Sequence, residues 1–324
     1  MVVPSRPAGA RARWREVDGI VLLDKPAAIS SNHALQRVRR ALQAAKAGHA
    51  GTLDPMATGM LPLCFGQATK ACGQLLGSTK AYRATVTFGA ATDTGDADGQ
   101  VIGQSEVPPL AAEAIDRVLA GLVGNRAQVP PMYSALKRDG RPLYELARRG
   151  EEVERAARPI RIESLTRLAI EGAALEFDVV CSKGTYVRVL AEEIAAALGT
   201  RGHLSRLRRL WVEPFQDDEM VGLEAIERWA ASGGWRQGPP PGLLRVDRAF
   251  PGLPRLELDD AQDLHLRQGR ALDCPVPGVE PGGLLRVYGA AGLFLGLAVL
   301  GEDRRVRVQR LFVPGAGTQG PEKS

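Results

Sequence analysis

The segment from Gly48 to Gly59, G-H-A-G-T-L-D-P-M-A-T-G, holds the residues best suited to chemistry. Its glycines allow sharp turns and the close approach of another chain. Pro55 disfavours the helical region for Asp54, so an extended backbone is expected at the tip of this loop. A carboxylate held there can act as a nucleophile or as a general base. An Asp-Pro pair between glycines is also typical of a turn closed by the aspartate side chain, and the segment alone leaves both interpretations open.

The sequence lacks the motifs of nucleotide-dependent and metal-dependent enzymes. It has no Walker glycine loop, no G-x-S-x-G, no H-E-x-x-H, and no G-x-G-x-x-G between a strand and a helix. Its four cysteines are widely spaced, without C-x-x-C or zinc-site spacing. We therefore expect reduced thiols, no cofactor and no metal ion. A single positioned aspartate suffices for chemistry on a nucleoside if the base is first taken out of its stack.

The positive charge of the chain is regional. The net charge is +5, but residues 1–50 carry nine Lys or Arg against three Asp or Glu, whereas residues 151–200 carry six against nine. Most of the cations are arginines, whose planar guanidinium suits phosphate and stacks on bases. An anionic partner is therefore favoured, although a GC-rich genome would give the same bias. No signal peptide or membrane-spanning run is found, so a cytoplasmic location is expected.

The loop with Asp54 is flanked by recognisable elements. A short apolar strand at 20–23 precedes it, and Ser30, Ser31 and Asn32 offer N-caps for a helix. Leu35, Val38 and Leu42 recur there at helical spacing. The arginines at 37, 39 and 40 lie largely off this stripe and are predicted to face solvent or a phosphate.

The rest of the chain mixes helices and strands. Residues 81–88 alternate as in a half-buried strand, with Tyr82 at its beginning. Two further strands are predicted within 159–182, and a helix with a clear apolar face follows Lys183 and Gly184. Other helices are predicted near 67–78, 111–122, 142–149 and 223–232. The pattern predicts an α+β fold.

A Gly- and Pro-rich stretch at 232–242 marks the clearest boundary. Beyond it, strand-like runs at 284–288, 293–300 and 306–313 predict a small β-rich domain. The predicted division is a flexible basic tail at 1–18, a large domain at 19–232, a linker at 233–242, a small domain at 243–313 and a tail at 314–324.

Five segments together resemble the bacterial TruB family of tRNA pseudouridine-55 synthases. They occur in the family's order and cover about residues 19–313. They are G-I-V-L-L-D-K-P from Gly19, A-G-H-A-G-T-L-D-P-M-A-T-G-M-L-P from Ala47, T-D-T-G-D-A-D-G from Thr92, Q-V-P-P-M-Y-S-A-L-K from Gln128 and C-S-K-G-T-Y-V-R from Cys181. One departure is Ala50, where many relatives have threonine.

The resemblance implies a catalytic domain with a curved, mainly antiparallel mixed sheet, followed by a small β-rich PUA-type domain that binds RNA. It also assigns site residues: Asp54 as catalytic aspartate, Arg188 as its partner, Tyr82 and Tyr186 around the flipped uracil, His49 in the T loop where the nucleotide leaves, and Leu207 as an apolar wall of the pocket. From the residues alone, the two tyrosines and Leu207 would be core side chains and Arg188 a surface cation.

The implied reaction isomerises uridine 55 in the T loop of tRNA to pseudouridine, and needs neither cofactor nor metal. The implied partner is the T stem-loop, with no membrane, no obligatory protein partner and a monomeric enzyme. The sequence leaves open whether Asp54 attacks C1′, attacks the uracil ring or removes a sugar proton. Two alternatives also remain: a protein that binds and folds tRNA without catalysis, and a related synthase guided to another RNA by protein partners.

Overall fold

The computed structural model describes residues 14–138 and 140–312. Most of the predicted tail at 1–18, and the tail at 314–324, lie outside these ranges. None of the helices in the described part of the chain has the length and apolar character needed to cross a membrane.

The described residues form eighteen strands and seven α-helices. The strands are β1 (Gly19–Lys25), β2 (Ala47–His49), β3 (Thr58–Phe65), β4 (Lys80–Phe88), β5 (Ala90–Thr92), β6 (Val101–Gln104), β7 (Gly124–Gln128), β8 (Lys137–Arg138), β9 (Arg141–Pro142), β10 (Arg158–Glu171), β11 (Ala174–Cys181), β12 (Gly202–Val212), β13 (Val221–Gly222), β14 (Leu243–Leu244), β15 (Arg255–Glu257), β16 (Leu284–Tyr288), β17 (Phe294–Leu300) and β18 (Val306–Leu311). The helices are α1 (Ser31–Leu42), α2 (Cys72–Leu76), α3 (Ala112–Leu122), α4 (Leu143–Ala147), α5 (Val187–Ala197), α6 (Leu223–Ala231) and α7 (Asp260–Arg267).

Most of the strands form two sheets, and the others pair as β5 with β6 and β8 with β9. The large sheet runs in the order β13-β1-β3-β12-β4-β11-β10-β7, with β14 added to β1 and β2 added to β3. Its strand pairs are antiparallel except for β1 with β13 and β12 with β3. The small sheet has the order β15-β16-β17-β18. The predicted α+β fold, with a mainly antiparallel mixed sheet and a small β-rich unit after it, is confirmed.

Strand β1 is apolar on both faces because it lies between two cores. Val21 and Leu23 belong to the core that includes the buried face of α1, whereas Ile20 and Leu22 belong to a second core. This division follows from the alternation of side chains along a strand. Helix α1 begins as predicted, since the Ser30 side chain accepts a hydrogen bond from the backbone N–H of His33.

The second core joins the large sheet to the small one. It contains Ile20 and Leu22 together with Phe250, Phe294 and Phe312. The Phe250 ring centroid lies 5.5 Å from that of Phe312 and 6.2 Å from that of Phe294. Aromatic pairs at such separations add to the hydrophobic stabilisation of a core. The two sheets therefore share buried side chains.

The predicted linker at 233–242 packs against helices α1 and α6. The Trp235 indole N–H donates to the Leu42 carbonyl over 2.9 Å, and its ring meets Trp229 edge-on. Directly after the linker, β14 pairs with β1. The large sheet therefore extends past the boundary suggested by the Gly- and Pro-rich composition, and the change to the small sheet comes after Leu244.

Several local predictions were wrong. The helix predicted at 67–78 is a 3-10 helix at Gly66–Ala71 followed by the single short turn of α2. Glycines at 66, 73 and 77 explain this, because glycine weakens helix interiors. The buried strand β3 and the helix α7, which begins with a capping box at Asp259, were not predicted.

Arginines near the N-terminus, which were predicted to face solvent or a phosphate, form contacts within the protein. Arg37 forms a two-pronged pair with Glu227, and Arg39 donates to the carbonyls of Ala44 and Ala45. These arginines are therefore already bound within the protein. Ordered structure also begins before Gly19, since the backbone of Arg15 bonds to that of Gln43 and Ala45.

Candidate active site

The loop at 50–57 connects β2 to β3 and carries Asp54. Helix α1 holds this loop from one side: the Ser31 hydroxyl both accepts from the Leu53 N–H, over 2.8 Å, and donates to the Leu53 carbonyl, over 3.0 Å. The Lys25 ammonium donates to the Pro55 carbonyl over 3.3 Å. The backbone on either side of Asp54 is thus fixed by buried donors and acceptors, which reduces the freedom of its carboxylate.

Arg188, the second residue of α5, forms an ion pair with Asp54. Its Nε lies 3.0 Å from one carboxylate oxygen of Asp54, and its Nη2 lies 3.5 Å from the other. Arg188 is 5% exposed, whereas the Asp54 side chain is 35% exposed. The cation is therefore deep in the protein, and the carboxylate faces the open side.

Arg188 also binds groups other than Asp54. Its Nη1 donates to the carbonyl of Thr94 and its Nη2 to that of Tyr133, each over 2.7 Å, and Nε lies 3.6 Å from the buried carboxylate of Asp96. A guanidinium that is bound through each of its three nitrogens has a defined orientation. Arg188 therefore holds Asp54 in a fixed direction as well as supplying charge.

A cavity of about 320 Å³ opens beside this ion pair. Its walls combine apolar surface with a few convergent polar groups, which is typical of small-molecule and base-binding sites. It is lined by Gly51, Thr52, Leu53, Asp54, Leu76, Lys80, Tyr82, Ser134, Ala135, Leu136, Ser182, Gly184, Thr185, Tyr186, Val187, Arg188, Leu207 and Arg209.

Burial governs the protonation equilibria of the site. It raises the pKa of Asp54, and Arg188 offsets this only in part. The charge of Arg188 thus favours the ionised form of Asp54, but desolvation is the larger effect on the Asp54 pKa. The neighbouring Asp96 and Asp98 raise the Asp54 pKa further, and Lys25 lowers it. Burial also lowers the pKa of Lys25, to about 8.

Five of the six predicted site residues meet at this cavity: Asp54, Tyr82, Tyr186, Arg188 and Leu207. His49 does not line it. It lies at the end of β2, and its Nδ1 is buried without a hydrogen-bond partner among the described residues. Burial lowers the His49 pKa, and the charge of Arg209 lowers it further.

The sequence analysis did not predict some other residues of the site. Lys80 and Arg209 line the cavity, and each lies two positions from a predicted residue on the same strand, Tyr82 and Leu207. Because side chains alternate along strands, this spacing was a usable signal. Gln128 was also missed as a site residue. Its side-chain amide accepts from the Tyr186 N–H over 2.8 Å and donates to the Tyr186 carbonyl over 3.2 Å.

Within the described ranges, no group of three or more His, Cys, Asp or Glu is arranged to hold a metal ion. Among the side chains that line the cavity are one partly exposed carboxylate, its buried arginine partner, two tyrosine rings and an apolar wall.

Comparison with known proteins identifies the family. The model described as "TruB family pseudouridylate synthase (N terminal domain)" matches residues 39–187. Two C-terminal models of the same family match residues 188–244 and 254–312. The chain belongs to the TruB family of pseudouridylate synthases.

Relatives within the TruB family match nearly the whole chain. A tRNA pseudouridine synthase B of Aromatoleum aromaticum is 53% identical over 309 residues, covering 95% of this chain and 97% of the relative. A tRNA pseudouridine synthase B of Chromohalobacter salexigens is 47% identical over 302 residues, covering 93% and 96%.

Solved structures share the fold at lower identity. A chain of an H/ACA ribonucleoprotein bound to a substrate RNA containing 2′-deoxyuridine has a TM-score of 0.68 and 22% identity, over 92% of this chain and 86% of that one. A chain of a Cbf5-Nop10-Gar1 complex has a TM-score of 0.67 and 25% identity, over 91% and 85%.

All five TruB-like segments of the sequence converge on one ion pair. The first supplies Lys25 and the second Asp54, and the fifth supplies Arg188. The third supplies the carbonyl of Thr94, and the fourth supplies the carbonyl of Tyr133. Segments that lie up to about 150 residues apart in the sequence therefore build a single site.

Proposed function

We propose that this TruB-family protein isomerises uridine 55 in the T loop of tRNA to pseudouridine, with Asp54 as the catalytic carboxylate. The observation that carries the proposal is the ion pair at the cavity, in which Arg188 is buried and Asp54 remains partly exposed. The relatives named tRNA pseudouridine synthase B support the substrate and the reaction.

The reaction conserves every atom of the substrate. The bond between C1′ and N1 breaks, a bond between C1′ and C5 forms, and the proton leaving C5 is replaced by one on N1. Asp54 acts as a nucleophile or as a base in this sequence, and Arg188 orients it and stabilises its charge. A buried arginine that is held by several partners is suited to this role, because a preorganised donor needs little reorganisation during the reaction.

The proposal assigns the other cavity residues to the extruded base. Tyr82 and Tyr186 hold the uracil, and Leu207 closes one side of the pocket. Stacking of a base on an aromatic ring contributes about 1–3 kcal/mol, which offsets an unstacking cost of a few kcal/mol. His49, which lies outside the cavity at the end of β2, contacts the T loop where the nucleotide leaves.

The C-terminal region is proposed to bind RNA as a PUA-like domain over about residues 243–313. The protein is proposed to act as a monomer without an obligatory protein partner. Its affinity for tRNA then falls linearly with salt on a log–log plot, because phosphate contacts release counterions.

The decisive experiment uses the purified chain alone and a bare T stem-loop whose target uridine carries tritium at C5. Release of one tritium per stem-loop is the expected result. A stem-loop labelled at another uridine, with cytidine at the target position, is the control and releases none.

The two alternative functions give different results. A protein that only folds tRNA binds the stem-loop without releasing tritium. A synthase that depends on a guide and protein partners leaves the bare stem-loop unmodified.

A further inference from the structure

Arg209 is a buried cation that the proposed mechanism does not use. It is 1% exposed and lies on β12, with part of its surface facing the cavity. Among the residues described, no carboxylate lies within 4.0 Å of its guanidinium. A buried charge without a counterion is costly unless other groups satisfy it. Its position therefore calls for an explanation.

The partners of Arg209 lie on either side of the loop that carries Asp54. Its Nη2 donates to the carbonyl of Gly51 over 3.1 Å, at the beginning of the loop. Its Nε donates to the carbonyl of Met60 over 2.6 Å, just after the loop ends. One rigid guanidinium thus spans the two ends of the segment.

The backbone of Arg209 is fixed as firmly as its side chain. β12 lies between β3 and β4, where Arg209 pairs with Gly59 on one side and with Tyr82 on the other. A Cβ atom at Gly59 would lie 2.1 Å from the Arg209 carbonyl oxygen, so only glycine fits where β3 lies against β12. The guanidinium also packs on Gly51, where a Cβ atom would lie 3.2 Å from its Nη1.

Other side chains hold the loop at single points. Lys25 binds it at Pro55, and Ser31 binds it at Leu53. Arg209 differs because it binds both ends and reaches the cavity wall. Arg209 also lies beside Tyr82, and its charge lowers the pKa of Tyr82, although burial raises that pKa by more.

We infer that Arg209 is a positioning residue, which fixes the Asp54 carboxylate relative to the cavity by tying Gly51 to Met60. This inference rests on the proposed function, because the rate of pseudouridine formation is the quantity that it affects. Lysine at this position keeps the charge but has a single compact ammonium, which cannot span the two carbonyls in the same way.

The test is Arg209→Lys, with the single-turnover rate and the tRNA dissociation constant measured separately. A displacement of the loop by about 1 Å lowers the rate about 100-fold. The dissociation constant is expected to stay unchanged. Lysine keeps the positive charge at position 209, so a change in the Asp54 pKa reflects a change in its hydration. A displaced Asp54 is more hydrated, and the pH at which the rate is half-maximal on the acidic side then moves toward the ordinary aspartate pKa.

Val212→Ala is the matched control, since Val212 is fully buried on the same strand and belongs to the second core. It lowers the melting temperature but removes no hydrogen bond of the loop, and its rate and pH midpoint stay those of the wild type. If Arg209→Lys behaves like Val212→Ala, with lower stability and a normal rate, the inference is overturned.

A second variant covers the case in which Arg209→Lys does not fold. Gly51→Ala disturbs the same contact from the loop side, and its rate is expected to fall while tRNA binding persists. A normal rate in this variant overturns the inference. Failure of the wild-type protein to release tritium would instead overturn the proposed function, so the two failures are distinguishable.

Discussion

The large and small sheets differ in the burial of their charged side chains. Across residues 14–138 and 140–312, every buried polar or charged residue lies between Lys25 and Arg209, and these include Lys80, Asp96 and Arg188. The small sheet buries leucines and valines, and its charges stay outside, as in the exposed pair of Asp303 with Arg307.

This difference indicates that the large sheet holds the charged groups needed for the reaction, whereas the small sheet mainly contributes to stability. Removing ions from water costs several kcal/mol for each, and an apolar replacement of a buried pair is often neutral or stabilising. In the large sheet, this desolvation cost arises where Asp54 meets Arg188. The second core, which joins the two sheets, and the small sheet instead contribute apolar burial. Substitutions in the two regions should therefore affect different measurements.

Asp54→Asn is expected to give the largest effect. Asparagine keeps the size of aspartate and can still cap the turn, but it is neither a useful nucleophile nor a base. Loss of such a group typically costs about 10⁴ to 10⁶ in rate. Tritium release should fall by this order while binding of the same stem-loop persists.

Asp98→Asn is the control for that experiment, because Asp98 is an exposed carboxylate near the same site. It should retain near-normal release at neutral pH. Release within about tenfold of wild type by a folded Asp54→Asn protein would refute the assignment, since one order of magnitude is far below the loss expected of a catalytic group.

Phe250→Ala tests the junction between the sheets. Phe250 is 2% exposed, and its removal leaves a cavity in the core that the two sheets share. Such truncations cost about 3–5 kcal/mol of unfolding free energy. Denaturant unfolding should show this loss, whereas the single-turnover rate of the folded fraction should not change.

Leu264→Ala, at an exposed position of α7, serves as the control and should leave the unfolding free energy unaltered. A Phe250→Ala protein of normal stability but reduced rate would contradict the separation of the two regions.

Tyr82 is predicted to act through its ring. Tyr82→Phe keeps a surface on which uracil can stack, whereas Tyr82→Leu does not. The difference between them should be about 1–3 kcal/mol, or roughly 5-fold to 150-fold in rate. Single-turnover kinetics at saturating enzyme measure it. Equal loss in both variants would mean that the hydroxyl, which meets Arg209, is the important group.

The smallest effect concerns pH. Burial raises the pKa of Asp54, so the rate should fall on the acidic side with a midpoint above the usual aspartate value of about 4. The charge of Asp98 adds to this rise, whereas Arg188 and Lys25 oppose it. Asp98→Asn should therefore move the midpoint to lower pH. A shift to higher pH would show that another group controls the acidic limb.

The sequence predicted which residues line the cavity better than it predicted the strand arrangement that brings them together. Asp54, Tyr186 and Arg188 lie within the five short segments, whose residue types and order are distinctive, whereas Tyr82 and Leu207 lie outside them and were assigned by the family resemblance. Their assembly at one cavity depends on strand register, which short segments do not specify. The catalytic roles themselves stay predictions.

Residues whose role depends on long-range partners were missed. Arg209 is one of four arginines between positions 201 and 209, and the sequence does not set it apart from the others. Its burial results from the position of β12 between β3 and β4. Similarly, Gly and Pro near 233–242 predicted a linker, but Trp235 binds that stretch to α1. Composition reports local backbone freedom and cannot show which distant side chain removes it.

The central position of β12 has a consequence for synthesis on the ribosome. A nascent chain that ends at residue 200 already contains Asp54, Tyr82 and Arg188, but not the strand that joins β3 to β4. Such long-range pairing comes late because it must first overcome loop-closure entropy. The two halves of the cavity are thus brought into register only when translation has passed Val212, and an incomplete translation product carries the reactive residues without an assembled site.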